Sequence, residues 1–160
     1  MAQTLMGVDL TDDSASALFE LGTRHYDPNT DKEWIYVQAD AGGVTGAGYV
    51  VLIDEAYAAD MVDTTNSGTG YGQILAVSPI AVAASGYFWA QVGGVCVVRV
   101  AASAAANVRL NTTATAGQLD DDGTAGAEVA VNIALTTANG GAAATAAAVL
   151  IPTPNVGATV

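Results

Sequence analysis

The amino-acid sequence predicts an all-β fold: a single compact β-barrel or β-sandwich domain of short antiparallel strands, preceded by an extended N-terminal arm. Three observations lead there. The apolar segments are built from Val, Ile, Tyr, Phe and Trp, side chains that pack well on a pleated surface. Gly, Pro, Asn and Asp interrupt these segments roughly every eight to twelve residues, the spacing of turns between short strands. A sustained helical period is almost absent, and 160 residues suffice for one domain that buries roughly 70% of its unfolded surface.

Residues 1–16, MAQTLMGVDLTDDSAS, are small, polar and acidic without a period, which predicts a loose arm that a neighbour could order. Residues 17–160 make up the β domain. Residues 17–24 alternate weakly, Asp27-Pro28-Asn29 is a turn, and Trp34-Ile35-Tyr36-Val37 returns, so a hairpin is expected. The run GYVVLI at 48–53 reads as a buried strand stopped by Asp54-Glu55, with residues 56–62 pairing back onto it. Residues 71–84 form a strand broken at Ser78-Pro79, because proline removes a ladder donor.

Residues 71–100, YGQILAVSPIAVAASGYFWAQVGGVCVVRV, are the stretch the rest surrounds, and Gly93-Gly94 is expected as a two-residue hairpin loop. Tyr87, Trp89 and Gln91 would then lie opposite Val100, Val98 and Cys96, with Phe88 and Ala90 opposite Arg99 and Val97. AASAAA at 101–106 is too short to hold a helix and reads as a close-packed connection. Residues 107–110 resume a strand, and 112–122 form a turn-rich loop. Residues 128–135 alternate cleanly, placing Val129, Val131, Ile133 and Leu135 on one side and Glu128, Ala130, Asn132 and Ala134 on the other. Asn139-Gly140-Gly141 turns the chain, residues 142–151 run back, and Pro152 and Pro154 stop them, leaving 155–160 exposed.

Sixteen acids against four bases give a net charge of −12, which repels phosphate backbones and predicts no nucleic-acid partner. Twelve acids lie between Asp9 and Asp63, none between 64 and 119, and four from Asp120 to Glu128, so the middle third suits an interior or an interface. Pro79, Gln91, the turn residues Asn66-Ser67-Gly68-Thr69 and many glycines break the uncharged run at 64–98, so no membrane-spanning helix is expected. The N-terminus has neither the basic segment nor the apolar run of a secretion signal, and a chain folded without export is expected.

Residue chemistry suggests no catalytic, cofactor-binding or metal site. His25 is the only histidine and sits beside a turn among acids, so a solvated loop residue is expected, and no triad or two-histidine metal site can form. Cys96 is the only cysteine and lies in apolar surroundings without a base, which predicts an inert buried thiol. Asp120-Asp121-Asp122 with Glu128 offers oxygen ligands but lacks the spacing of a calcium loop, so a solvated acidic turn is expected. The glycine pairs at 46–48 and 68–70 lack the context of a phosphate loop. Arg24, Arg99 and Arg109 are scarce cations suited to aromatic stacking, carboxylate pairing or an interface. Trp34 and Trp89 read as core, with a sugar- or ligand-binding platform on an exposed Trp or Tyr as the alternative.

The phrases LGTR at 21–24, EWIYVQA at 33–39, YVVLIDEAYAA at 49–59, YGQILAV and ASGYFWAQVGGVCVVRVAASAAANVRL within 71–110, TTATAGQLDDD at 112–122 and IALTTANGGAAATAAAVL at 133–150 carry a resemblance. The chain is similar to capsid decoration (cement) proteins of tailed bacteriophages over nearly everything after Leu18. That resemblance implies a small β-rich protein made in the host cytoplasm, commonly a homotrimer, that attaches to the outside of the head. There it would reinforce contacts between subunits of the major capsid protein. An acidic β domain fits an external position, away from packaged DNA. The other function class is a non-enzymatic ligand- or carbohydrate-binding β module on a virion or cell surface.

Overall fold

The computed structural model describes residues 8–70 and 72–159. The described residues form ten strands and one short helix: β1 Arg24–Asp27, β2 Lys32–Ala39, β3 Val50–Ile53, β4 Ala58–Met61, α1 Thr64–Ser67, β5 Ile74–Val77, β6 Tyr87–Val100, β7 Leu110–Thr112, β8 Leu119–Asp120, β9 Glu128–Leu135 and β10 Ala144–Thr159. All ten strands belong to one sheet, so the fold is all-β as the turn spacing predicts. The sheet is mixed rather than purely antiparallel, because β2–β4 and β6–β8 pair in parallel.

The sheet closes on itself twice around β6. One ring runs β2–β4–β3–β5–β6 and back to β2, sealed by Val77 opposite Gln91. The second runs β6–β8–β7–β9–β10 and back to β6, sealed by Val100 opposite Leu119. Closure removes most open edges, which would otherwise template pairing with other chains. The first ring encloses Ile35, Val37, Val51, Ile53, Phe88, Ala90 and Val92. The second encloses Val98, Val100, Leu110, Leu119, Ile133, Leu135 and Leu150. Val50 and Leu52 of β3 pack on that second core while Val51 and Ile53 fill the first. A strand flanked by two cores buries both faces, and this is why VVLI is a continuous apolar run instead of an alternating one.

Sequence and structure part company first at Gly93-Gly94. No hairpin turns there: β6 is a single strand of 14 residues. Its first half pairs with β2, placing Trp89 opposite Tyr36 and Phe88 opposite Val37, and its second half pairs with β10, placing Val98 opposite Ala146 and Cys96 opposite Ala148. The glycines serve the handover between partners. A Cβ on Gly94, whose φ is +86°, would stand 2.5 Å from the Asp31 carbonyl oxygen, so the β1–β2 turn packs where only glycine fits.

The prolines likewise do not end β10. They occupy a bulge between Leu150, opposite Ile133, and Asn155, opposite Val131, where proline's missing donor breaks no ladder bond. The chain beyond is not an exposed tail. Val156 is buried, and its backbone exchanges hydrogen bonds with Gly72 and Gln73. In β9 the boundaries match the alternating pattern, but Asn132 adopts φ +67° and reverses the phase. Glu128 and Ala130 are therefore buried on one side of that residue and Ile133 and Leu135 on the other, while Val129 and Val131 are only half-buried.

Smaller departures follow from local chemistry. The first strand of the β1–β2 hairpin is Arg24–Asp27, later than the weak alternation at 17–24. Its turn is held by Asp27, whose carboxylate accepts from the Asn29 amide at 3.0 Å and the Thr30 hydroxyl at 2.6 Å. Residues expected as a plain turn form α1, because Asp63 caps it and Asn66 returns the bond to the Asp63 amide. The described part of the N-terminal arm is not loose. Ser14 pairs with Tyr87, the Asp13 carboxylate accepts from the Ala83 amide at 3.0 Å, and Val8 and Leu10 pack on Trp34, Tyr36 and Trp89. Residues 1–7 of the expected arm, Tyr71 at the head of the expected fifth strand, and Val160 lie outside the described residues.

Candidate interaction surface

Along β6 the even-numbered side chains point into the two cores and the odd-numbered ones point out. The outward set begins with Tyr87, Trp89 and Gln91 and continues, past the glycines, with Val95, Val97 and Arg99. Its first half is covered. Residues 8–21 lie across it, and Phe19 meets Tyr36 and Trp89 edge-on at centroid distances of 5.3 and 5.2 Å. The Tyr36 hydroxyl accepts the Leu18 amide at 3.0 Å, tying this cover to the sheet.

Nothing among the described residues covers the second half. Val95 is 61% exposed and Val97 48%, large values for side chains held on a regular sheet, and Ile151, where the β10 bulge begins, is 55% exposed. Cross-strand register gathers them, since Val95 lies opposite Val149 and Val97 opposite Ala147, with Ile151 next on the same side of β10. A groove of about 600 Å³ runs along one flank, where Leu10, Trp34, Val77 and Pro79 meet Val95 and Val97. A second groove of about 330 Å³ lies on the other flank, between Tyr26 and Glu33 on one wall and Val149, Ile151 and Pro152 on the other. Trp34 is buried with its Nε1 lacking a hydrogen-bond partner, a cost usually avoided in a protein interior.

The grooves carry three acids and one base. Lys32 and Asp27 border the larger groove, and Asp31 and Glu33 border the smaller. Arg24 donates to the Thr153 hydroxyl at 3.4 Å beside the β10 bulge, and Arg99 leads out of the strand with its guanidinium 5.8 Å from the Tyr49 ring centroid. Lys32 is thus the one base lining these grooves, beside three carboxylates, while Arg24 and Arg99 stand outside the linings. Arg99 finds an aromatic face as the sequence suggests, but the ring is Tyr49 and its cross-strand neighbour is Thr145, not Phe88.

The remaining candidates are scattered over the molecule. His25 is not a solvated loop residue: it is buried in β1 opposite Trp34, with its ring 6.0 Å from that of Trp89. Cys96 is half-buried against the second core, and burial pushes its thiol up to about 12, which suits an inert group. Asp120 is half-buried, and burial raises its carboxyl above the ordinary value. Asp122 is exposed, and Glu128 is buried at the start of β9 with its amide donating to the Thr112 hydroxyl at 3.0 Å. Among the described residues, no three His, Cys, Asp or Glu side chains gather as a metal site needs. Trp34 and Trp89 are both buried, so neither offers an open stacking platform.

The sequence signal for this surface was the odd-position series Val95-x-Val97-x-Arg99, hidden because a hairpin reading folds those valines onto their own strand. Among the described residues, no helix is long and apolar enough to cross a membrane. No protein-family model matches the chain, and no curated protein matches it.

Proposed function

We propose that this chain is a structural virion protein, a decoration protein that docks on the outer surface of a tailed-phage head as a homotrimer and stabilises contacts between major capsid protein subunits. The observation that carries this reading is the apolar face of β6 and β10, left bare among the described residues on a sheet closed twice. A closed framework resists shear, and a bare apolar face of this kind is characteristic of protein–protein contact. The resemblance in strand and loop phrases supplies the partner. Net charge of −12 supports an external position, since DNA inside the shell would repel it.

Each docked copy would add contacts that must break before the shell opens. Many modest contacts per particle act together, so the protein need not bind tightly as a single copy. Heads prepared with and without the protein are to be compared for DNA release on heating or osmotic shock, with copies per particle counted. The expected result is later release from decorated heads at a fixed copy number. Equal release from both, or copies recovered inside the shell with the DNA, would overturn the proposal.

A further inference from the structure

We infer that the smaller groove on this face, between the β1–β2 turn and the bulge in β10, is a receptor for a lysine or arginine side chain that a partner protein presents among apolar residues. The inference rests on the decoration reading only in treating the face as a protein contact, and it adds the chemistry of the partner. The groove holds about 330 Å³, and its two walls differ in kind. Tyr26, Asp31 and Glu33 form a polar, acidic wall, while Val149, Ile151 and Pro152 form an apolar one. A long basic side chain has the same two parts: a hydrocarbon stem that lies on apolar surface and a cationic head that needs acceptors.

The acidic wall is set by the fold. Glu33 lies opposite Tyr26 in the β1–β2 pairing, and the Asp31 carboxylate accepts from the Tyr26 hydroxyl at 2.8 Å. That hydrogen bond raises the Tyr26 hydroxyl above its ordinary pKa, and the charges of Asp31, Glu33 and Asp27 add to the effect, so negative potential converges here. Among the described residues, no basic side chain lines this groove. Lys32 precedes Glu33 on β2, alternates to the other side and lines the larger groove, while Arg24 is drawn to Thr153 and Arg99 to Tyr49. Other occupants have the wrong charge. Residues 1–7, MAQTLMG, contain no lysine or arginine, and a second copy brings sixteen acids with four bases. A chain of net charge −12 attracts a basic partner from a distance, and the groove supplies the match at contact.

The test uses the isolated protein and four labelled peptides that alternate valine with arginine, lysine, serine or glutamate, with binding read by fluorescence polarisation. The arginine and lysine peptides are expected to bind about tenfold tighter than the serine peptide, and the glutamate peptide weakest of all. The double variant Asp31→Asn, Glu33→Gln should bring the arginine peptide down to the serine level. Asparagine tolerates the φ of +54° at position 31, so the circular dichroism spectrum should be kept. Glu55→Gln with Asp122→Asn removes the same charge at exposed positions outside the groove and should leave arginine-peptide binding at the wild-type value. Ile151→Ser should weaken the arginine, lysine and serine peptides alike. Equal binding of the arginine and serine peptides, or binding by none of the four, overturns the inference. So does an arginine preference that survives the Asp31 and Glu33 changes, or one lost equally in both double variants, which is attraction by net charge alone. If wild type protects heads but shows no such preference, the inference falls and the decoration reading stands. If the preference is present and depends on Asp31 and Glu33, yet decorated and bare heads release DNA alike, the groove stands and the decoration reading falls.

Discussion

The two halves of the outer face of β6 follow one alternation along one strand, yet they end in opposite states. Tyr87 and Trp89 lie under the chain's own N-terminal segment, while Val95, Val97 and Arg99 face outward beside Val149 and Ile151. The covered half holds large rings that contact one another, and leaving them in water would forfeit both their area and their edge-to-face geometry. The bare half holds short β-branched chains that suit a flat contact. What a strand's sequence determines is which side chains point out; what covers them is decided elsewhere in the chain or in another molecule.

Substitutions in the two halves should separate accordingly. Trp89→Ala removes a ring packed on Tyr36, Phe19 and His25 and is expected to cost about 3–5 kcal/mol in denaturant unfolding. Val97→Ala in the bare half should change the stability of a single chain by less than about 0.5 kcal/mol. Coincident midpoints for Trp89→Ala and wild type would show that the covered half contributes nothing, and the contrast would collapse. Phe19→Ala tests the cover itself. Its ring is only half-buried, so roughly 2 kcal/mol is expected, and tryptophan fluorescence should shift red as water reaches Trp89.

Asp13→Ala deletes the acceptor for the Ala83 amide at one end of the cover and should cost about 1 kcal/mol. An unchanged midpoint would mean that the segment is held by apolar contact alone. A pH-dependent effect belongs to Cys96, at the foot of the bare half. Its thiol is raised to about 12 in the folded chain, so the unfolded chain loses that proton at lower pH. Between the unfolded value of about 8.5 and about 12, the unfolded state binds fewer protons, and stability falls as pH rises. Wild type should therefore lose more stability than Cys96→Ala between pH 8 and pH 10, and equal losses would contradict the buried thiol.

Much of this fold was legible because strands and turns leave local marks. Residues 128–135 alternate and are a strand, Asp27-Pro28-Asn29 turns the chain, and the break at Ser78-Pro79 is real. Elsewhere one residue type served two purposes. Gly93-Gly94 reads as a turn, but in the folded chain the pair makes room for the neighbouring turn at Asp31, a tertiary contact with no local trace. Pro152 and Pro154 read as a stop, yet a bulge accepts proline because no ladder bond is required there. The bare face followed the same logic. Val95 and Val97 were visible as apolar residues, and only the pairing of β6 with β10 shows that they share an outer face on which no other described residue lies over them.

One measurement addresses the contact surface most directly: a reconstruction of the assembled head in which each copy of this chain can be traced. The predicted result is that Val95, Val97 and Ile151 are buried in a protein contact on the outside of the shell, while Trp89 remains under residues 8–21. Copies on the shell whose Val95–Val97 face points to solvent would contradict it.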